Sequence, residues 1–479
     1  MRLRRALRSC HRSPVVRISF VIVSLVYIVH CFSFTTVVNM NDPPDPAVLE
    51  PHEKENLPQM PTNINESQIS ATGRVLDWRE AEPGKNAIYL YSGYIDKRKA
   101  QPTIRLIAII KRKTKAPECT YWSASNKREV KSGSIKLIKE NWALPYSAGF
   151  ILCPLPSFGP DDPVIRVGVT TQSAGPALLA NSVPVENMES RKKIGEMSVC
   201  VKPFHYEFNR ALWLVEFIEM YKLLGADHFI FYNHTVGPDV EAVLRYYMRQ
   251  GSVEVLPWSL PVETKKDIRT EGIFASLNDC NLRSVGHFPL AAMVDIDEFL
   301  IPRKDENLLE LVARLGTTYH GYVFKNVFFY LYWENDTALH DHLNTEENLQ
   351  VNLFGADSHM PYLLTQTKTR RLDQPHKYGV RSKYLARPDK SVEVGNHVVW
   401  EYLQPGGRTS LNVPETDGLT HHYRICEFGG WDCLKLPSHI DQTAHRYLAT
   451  LTQAIARECA GIFPGLPACP VAPPLGSPW

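Results

Sequence analysis

Three acidic residues that follow a short apolar segment are the part of this sequence best suited to chemistry. Asp295, Asp297 and Glu298 come directly after the apolar run 290–294. Because alternate side chains of a strand share a face, we expect Asp295 and Asp297 to point to the same side. Two neighbouring carboxylates repel each other and are costly to bury unless a cation lies between them. Mg2+ or Mn2+, held by carboxylates together with phosphate oxygens, suits such a site.

This predicted cation site indicates a reaction in which a phosphate group departs. A bound cation stabilises the negative charge that grows on a nucleoside diphosphate when its bond to a sugar breaks, and it also orients the donor. The alternative is that the three acids are solvated turn residues or helix caps. The capping role fits Asp305 better, because Asp305 precedes the apolar segment 308–312.

Strands that alternate with helices are expected to position these acids. The predicted strands are Ser198–Lys202, His228–Tyr232, Ser252–Pro257 and Leu290–Val294, and the predicted helices are Glu207–Leu224, Asp239–Arg249 and Lys266–Arg283. This alternation predicts an α/β domain with a parallel sheet that is covered on both faces. Ligands of such sheets bind beyond the carboxyl ends of the strands, which is where the acids follow Val294.

A stretch without helical periodicity precedes the α/β part. Its short apolar segments, aromatic residues and turn signals predict a small β-rich, sandwich-like module over residues 76–190. The segments are Ala87–Tyr91, Ile104–Ile110, Gly149–Cys153 and Val164–Val169. Cys119 and Cys153 can form a disulfide within this module. Tyr121, Trp122 and Trp142 can either stack on sugar rings or fill a core, and we favour the core.

The N-terminal region predicts a membrane anchor. Arginines in residues 1–17 precede an apolar run at 18–38, which is roughly 20 residues long and can cross a bilayer as a helix. The positive-inside rule keeps residues 1–17 in the cytosol and sends the chain beyond the run into the lumen. A cleaved signal peptide is the alternative, but no small-residue cleavage site follows the run. Residues 39–75 predict a proline-rich stem, and residues 459–479 a proline- and glycine-rich tail.

Cysteines and sequons agree with a lumenal address. The cysteines beyond the apolar run are Cys119, Cys153, Cys200, Cys280, Cys426, Cys433, Cys459 and Cys469. Their even number suits disulfides, and Cys426 and Cys433 lie close enough for a small loop. Acceptor sequons for N-glycans begin at Asn65, Asn233 and Asn335.

The formal net charge of +2 argues against a nucleic-acid partner.

Several ordered motifs occupy residues 195–435. They are Val201-Lys-Pro-Phe, Leu224-Gly-Ala-Asp-His-Phe-Ile-Phe-Tyr-Asn, Val294-Asp-Ile-Asp-Glu-Phe, Lys383-Tyr-Leu-Ala-Arg-Pro, Gly395-Asn-His and His422-Tyr-Arg. Together they resemble glycosyltransferase family 92. The resemblance implies a GT-A fold over residues 195–458 and manganese-dependent transfer from UDP-sugars. Characterised members are inverting β-galactosyltransferases, which implies UDP-galactose as donor, and plant members carry a β-sandwich carbohydrate-binding module before the catalytic domain.

The motifs also supply candidates for the donor and metal sites. The candidates for binding the nucleotide-sugar are Lys202, Asn233, Asp295 and Arg424, and those for binding the metal are Asp295, Asp297, His397 and His422. Glu298 is expected to support the metal site, and Lys383 and Arg387 are weaker candidates for the diphosphate. The alternatives are a surface position for Lys202, a glycan on Asn233 and structural roles for the two histidines.

A carboxylate opposite the donor is expected to deprotonate the acceptor hydroxyl. Glu334, in Tyr332-Trp-Glu-Asn, and Asp357, in Phe354-Gly-Ala-Asp, are the candidates. An exposed surface position is the alternative for each. The family commonly has small residues in the second segment, so Asp357 departs from its pattern.

These observations predict a single-pass type II glycosyltransferase of the Golgi membrane that acts on a glycan acceptor of a glycoprotein or glycolipid. The predicted fold class is α/β: a GT-A, Rossmann-like catalytic domain preceded by a small β-sandwich-like domain and an N-terminal transmembrane helix. One alternative is a non-catalytic lumenal glycan-binding protein that keeps the fold. Another is a glycoside hydrolase, but its paired carboxylates usually lie about 5–10 Å apart on separate elements.

Overall fold

The computed structural model describes residues 77–171, 175–336, 338, 362–404, 409–426, 431–466 and 468–471. All of them belong to one compact unit of the chain, Ile64–Trp479. The predicted cytosolic tail, anchor and stem lie outside the described residues, as do Asn65 and Asp357. None of the helices within the described ranges is long and apolar enough to span a bilayer.

The strand-rich module is a nine-stranded sheet that folds over on itself. Its strands are β1 (Arg79–Glu80), β2 (Ile88–Asp96), β3 (Thr103–Lys111), β4 (Pro117–Ser123), β5 (Arg128–Ser132), β6 (Ser134–Leu137), β7 (Tyr146–Pro154), β8 (Val164–Thr171) and β9 (Val183–Asn187). They lie in the order β5-β4-β8-β9-β2-β3-β7-β6, with β1 against β2. A disulfide joins Cys119 on β4 to Cys153 on β7, so the two halves of the sheet face each other across an apolar core. The predicted disulfide and the four predicted strands are confirmed.

The aromatic residues of the module divide into two groups. Tyr121 and Trp122 are 0% and 6% exposed and fill the core, as predicted. Trp142, in the loop between β6 and β7, is 50% exposed. Its ring stacks on Phe274 of the α/β part, with 5.6 Å between ring centroids. The prediction that Trp142 lies in a core is therefore wrong.

The remainder of the described chain combines strands and helices. Its strands are β10 (Met197–Val201), β11 (His228–Asn233), β12 (Val253–Pro257), β13 (Leu290–Val294), β14 (Glu298–Pro302), β15 (Gly321–Phe324), β16 (Asn326–Tyr330), β17 (Arg370–Leu372), β18 (Lys383–Ala386), β19 (Ser391–Val394), β20 (Val399–Tyr402), β21 (Leu411–Asn412), β22 (Gly418–Arg424) and β23 (Ser438–Ile440). Its α-helices are α1 (Ala211–Leu223), α2 (Pro238–Arg249), α3 (Ile273–Ser284), α4 (Leu308–Leu315), α5 (Leu364–Thr367) and α6 (Leu448–Ile462).

Four parallel strands, β12-β11-β10-β13, make up one side of the main sheet, and β18, β15 and β21 complete it. Every residue of β10 and β13 is buried, as expected for parallel strands that are covered on both faces. The register pairs Val201 with Val294, so Lys202 and Asp295 leave the sheet at the same edge. The predicted α/β architecture is confirmed.

Three predicted helix starts are wrong. Helix α1 begins at Ala211 rather than at Glu207, whose φ of 50° lies in the left-handed region. Helix α3 begins at Ile273 rather than near residue 266. Residues 270–272 have φ values between 43° and 73°, a left-handed backbone that no α-helix can continue. Helix α4 is capped by Asn307, whose side chain accepts the backbone N–H of Glu310 at 2.9 Å. Asp305, the predicted cap, instead pairs with an arginine of α4.

The module and the α/β part share a buried core around α3. Asp279 on this helix is fully buried. It accepts hydrogen bonds from Tyr94 of the module at 2.6 Å and from Tyr232 of β11 at 2.7 Å. Arg283, one turn further along α3, donates to it at 2.7 Å. The module is thus bonded to the sheet that carries the acidic residues.

Disulfides link the cysteines of the described part in four pairs: Cys119–Cys153, Cys200–Cys280, Cys426–Cys433 and Cys459–Cys469. The predicted Cys426–Cys433 loop is confirmed. The predicted boundary of the tail at residue 459 is wrong, because α6 continues to Ile462. Cys469 is 2% exposed and packs in the core of the α/β part.

Candidate active site

A cavity of about 790 Å³ opens where the parallel strands end. Its volume lies in the range of small-molecule binding sites. Its charged and imidazole groups are Glu140, Lys202, His205, Arg269, Asp295, Asp297, Glu298, Arg381, His397, His422 and Arg424. Most of the candidates from the sequence therefore meet in one place.

The three acids lie in a tight turn between β13 and β14. The strand ends at Val294, and the backbone N–H of Glu298 donates to the carbonyl of Asp295 at 3.1 Å. Strand alternation is therefore not what brings the carboxylates together, and that part of the prediction is wrong. The turn does so instead, because carboxylate oxygens of Asp295, Asp297 and Glu298 lie within 4.8 Å of one another.

One carboxylate oxygen of this cluster is buried without a hydrogen-bond partner in the described part of the chain, as a ligand of a cation would be. Asp297 Oδ1 is buried and has no hydrogen-bond partner among the described residues. A buried acceptor without a partner is costly, and a buried carboxylate more so. Oxygen atoms are the ligands that Mg2+ and Mn2+ prefer. The donor set therefore fits such an ion.

Two lysines face the acidic turn. Lys383 Nζ lies 3.3 Å from Asp295 Oδ1 and 3.0 Å from Glu298 Oε2, and Lys202 Nζ lies 3.5 Å from Asp295 Oδ2. Burial raises the pKa of Asp295, but the two lysines outweigh it and hold that pKa well below its ordinary value. Burial raises the pKa of Glu298. Two ammonium groups against three carboxylates leave an acidic cluster, which favours a divalent cation.

His422 joins the acids through a second, smaller sheet of order β14-β22-β16. Antiparallel pairing of β14 with β22 places His422 opposite Glu298. His422 Nε2 lies 3.3 Å from Asp297 Oδ2, and Nδ1 lies 3.1 Å from Glu298 Oε1. Asn326, the first residue of β16, donates to the same Glu298 oxygen at 3.1 Å. His422 therefore contacts two of the three acids.

His397 and Arg424 also line the cavity. His397 lies in the tip between β19 and β20, with Nδ1 3.2 Å from the carbonyl of Ser382. Burial, together with Lys383, lowers the pKa of His397 to about 4, so this ring is neutral near pH 7. Arg424 ends β22, with its guanidinium over the ring of Phe328 at 4.7 Å.

The remaining candidates lie elsewhere. Asn233 ends β11 and is not among the residues that line the cavity; its side-chain Oδ1 is buried and lacks a partner among the described residues. Glu334 is exposed and is also absent from the cavity lining. Asp357 falls outside the described residues. The carboxylate that accepts the acceptor proton therefore stays a prediction.

Sequence reasoning missed Glu140, His205, Arg269 and Arg381 as residues of the cavity. Glu140 and Trp142 reach it from the loop of the module that follows β6, and Arg269 reaches it from the irregular segment before α3. For Trp142 the sequence leaves sugar stacking open as the alternative to a core position. Glu140 carried no signal, because more than a hundred residues separate it from the acidic turn along the chain.

A model of glycosyltransferase family 92 matches residues 195–454, more than half of the chain. The chain belongs to glycosyltransferase family 92. The matched span contains the acidic turn, both lysines, His397, His422 and Arg424, whereas the module precedes it.

A β-1,4-galactosyltransferase of Caenorhabditis elegans is 23% identical to this chain over 269 residues. These residues are 52% of this chain and 62% of that protein, so the match spans less than two thirds of the relative. A glycosyltransferase family 92 protein of C. elegans is 27% identical over 134 residues, and this match covers 26% of each chain.

Solved structures with some likeness include glucosyl-3-phosphoglycerate synthase from Mycobacterium tuberculosis in complex with Mn2+, uridine diphosphate and glucosyl-3-phosphoglycerate. The likeness covers 58% of this chain and 82% of that chain, at 11% identity and a TM-score of 0.22. At this TM-score it supports no argument about activity.

Proposed function

We propose that this family 92 member is a metal-dependent glycosyltransferase that moves a sugar from a nucleotide-sugar to a hydroxyl of a glycan acceptor. The acidic turn carries the proposal: its carboxylates lie within 4.8 Å of one another, and Asp297 Oδ1 is buried without a partner in the described part. Family membership supports the reaction class.

Asp295 and Asp297 would hold the metal, Mn2+ or Mg2+. When bound, such an ion supplies positive charge that stabilises a departing nucleoside diphosphate. Glu298 stabilises the turn, because its Oε2 accepts a hydrogen bond from the backbone N–H of Asp295 at 3.1 Å. His422 lies against Asp297 and Glu298 and orients both carboxylates.

Lys202 and Arg424 are the side chains that we assign to the diphosphate. Both line the cavity. Burial lowers the pKa of Lys202, but Asp295 and Asp297 outweigh it and raise that pKa, so the ammonium stays charged at neutral pH. A guanidinium such as that of Arg424 can donate two parallel hydrogen bonds to phosphate oxygens. We assign no donor contact to Asn233, which does not line the cavity.

We take the donor to be UDP-galactose, because a matched relative is named a β-1,4-galactosyltransferase. Inversion at the sugar carbon is the outcome that the family resemblance implies. The acceptor hydroxyl then attacks opposite the diphosphate and gives its proton to a carboxylate. Glu334 and Asp357 remain the sequence-based candidates for that carboxylate.

We also propose that residues 18–38 anchor the enzyme in the Golgi membrane, with residues 1–17 in the cytosol and the chain beyond residue 38 in the lumen. The disulfides of the described part support this address, because such bonds persist in oxidising compartments. The exposed sequon residue Asn335 is consistent with it.

A donor screen of the full-length protein tests the activity. UDP-galactose, UDP-glucose and UDP-N-acetylglucosamine are each incubated with a panel of glycan acceptors, in Mn2+ and in chelator. We expect transfer from UDP-galactose in Mn2+ only, and its loss in Asp297→Asn. Asp373→Asn, which alters an exposed ion pair with His439, is the matched control and should keep full activity. Turnover that persists in chelator, or in Asp297→Asn, would refute the metal site.

A further inference from the structure

The β19–β20 hairpin carries part of the active site at its tip. Residues 395–398 connect the two strands, and the backbone N–H of Gly395 donates to the carbonyl of Val398 at 2.9 Å. Asn396 and His397 of this tip line the cavity. Asn396 Oδ1 accepts a hydrogen bond from Lys383 Nζ at 2.8 Å, and Lys383 pairs with the acids of the turn. The position of the tip therefore affects where Lys383 lies relative to the acidic turn.

The module binds this hairpin along its length. Lys99 pairs with Glu401 at 2.8 Å, and Lys136 pairs with Glu393 at 2.8 Å. The backbone N–H of Lys139 donates to Glu393 at 2.7 Å. These contacts fix the two strands of the hairpin but do not reach the cavity.

Glu140 is the module residue that reaches the tip itself. Its Oε2 accepts the backbone N–H of Asn396 at 2.9 Å and the indole N–H of Trp400 at 3.0 Å. The contact is tight, because a Cβ at position 395 would clash with both Glu140 and Trp400. Glycine at this position thus lets the carboxylate approach the tip. Glu140 also lines the cavity.

We propose that Glu140 of the β-module is a positioning residue for the metal and diphosphate site. It acts through Asn396, which in turn fixes Lys383 beside Asp295 and Glu298. The module is then a working part of the active site of this enzyme, in addition to any binding role of its own. We call the two hydrogen bonds from Asn396 and Trp400 to Glu140 the clamp. The inference rests on the proposed function only for what the site binds, and the clamp itself does not depend on that function.

The clamp makes a specific prediction for two substitutions of one residue. Glu140→Ala removes the acceptor of both N–H groups and frees the tip. Glu140→Gln keeps a carbonyl oxygen that can accept the same hydrogen bonds, so it should rescue the site. If Glu140 itself transferred a proton, both Glu140→Ala and Glu140→Gln would lose activity. Lys99→Ala, which removes a module–hairpin pair outside the cavity, is the matched control.

Hydrogen-exchange mass spectrometry of the full-length protein tests the clamp directly. We expect faster exchange in residues 395–399 of Glu140→Ala, and wild-type exchange in Glu140→Gln and Lys99→Ala. Calorimetric titration with Mn2+ and UDP tests the consequence for the site. Loss of a group that hydrogen-bonds a metal ligand typically weakens metal affinity by roughly 10- to 100-fold. Glu140 acts on such a group, Lys383, only through Asn396, so we expect a loss of up to roughly tenfold in Glu140→Ala.

A double-mutant comparison separates positioning from general damage. Asn396→Ala alone should weaken Mn2+–UDP binding, and Glu140→Ala should add little in that background, because both act along one path. Unchanged binding in Glu140→Ala, full additivity, or equal damage in Glu140→Gln would overturn the proposal. If the wild type binds no Mn2+ with UDP, the proposed function fails, and the exchange measurement alone then confirms or refutes the clamp.

Discussion

Replacing Asp279 with alanine probes the junction between the module and the α/β part. The carboxylate is fully buried and accepts hydrogen bonds from Tyr94, Tyr232 and Arg283. Removing one partner of a buried ion pair costs about 3–5 kcal/mol, because the other charge is left unpaired. For a unit of roughly 400 residues, an unfolding entropy of about 2.1 cal/mol/K per residue converts this cost into a fall in Tm of about 4–6 °C.

Differential scanning calorimetry of the full-length protein measures this change. The wild type should unfold in one transition that includes both parts, since they share the core around α3. Asp279→Ala should lower Tm by the amount above, and Asp279→Asn, which keeps an acceptor oxygen, should lower it less. The exposed control Asp373→Ala should leave Tm unchanged. An unaltered Tm in Asp279→Ala would show that the network does not join the two parts.

Three further outcomes are expected. In chelator, Asp297→Asn should raise the free energy of unfolding by about 1 kcal/mol, and so raise Tm, because it removes excess negative charge from the acidic turn. The same variant should no longer be stabilised by Mn2+. A lower Tm in chelator would contradict this. Burial raises the pKa of Asp96, but Arg98 and Arg105 outweigh it and lower that pKa to about 2. The stability that Asp96 contributes is therefore complete above about pH 4 and is lost as pH falls towards 2. Urea unfolding should show that the stability of Asp96→Asn falls less steeply over this acid range than that of the wild type. Mass spectrometry after expression in a secretory host should find a glycan on exposed Asn335 and none on Asn233, whose side-chain oxygen is buried; a glycan on Asn233 would contradict the placement of β11.

The acidic turn and its sheet could be predicted from the sequence because their signals are local. The apolar runs before Lys202 and Asp295 mark parallel strands, and the ends of such strands meet at one edge. The convergence of the carboxylates was predicted for the wrong reason. Strand alternation was assumed, whereas β13 ends at Val294 and a turn gathers the acids.

Contacts between distant segments could not be predicted. Nothing in the sequence around Glu140 indicates that its carboxylate meets the backbone of Asn396, because that pairing depends on how two segments that are distant along the chain pack together. Asn326 and Glu298 meet for the same reason, through the small sheet that β22 completes. Local competition explains the error at α4: Asn307 and Asp305 are both good caps, and only the backbone decides between them.

Anomalous diffraction at the manganese edge, from crystals grown with Mn2+ and UDP, tests the central claim most directly. We predict one manganese peak at about 2 Å from carboxylate oxygens of Asp295 and Asp297, with the diphosphate of UDP in the cavity next to Lys202. Bound UDP with no manganese at the acidic turn, or manganese at another site only, would contradict the account.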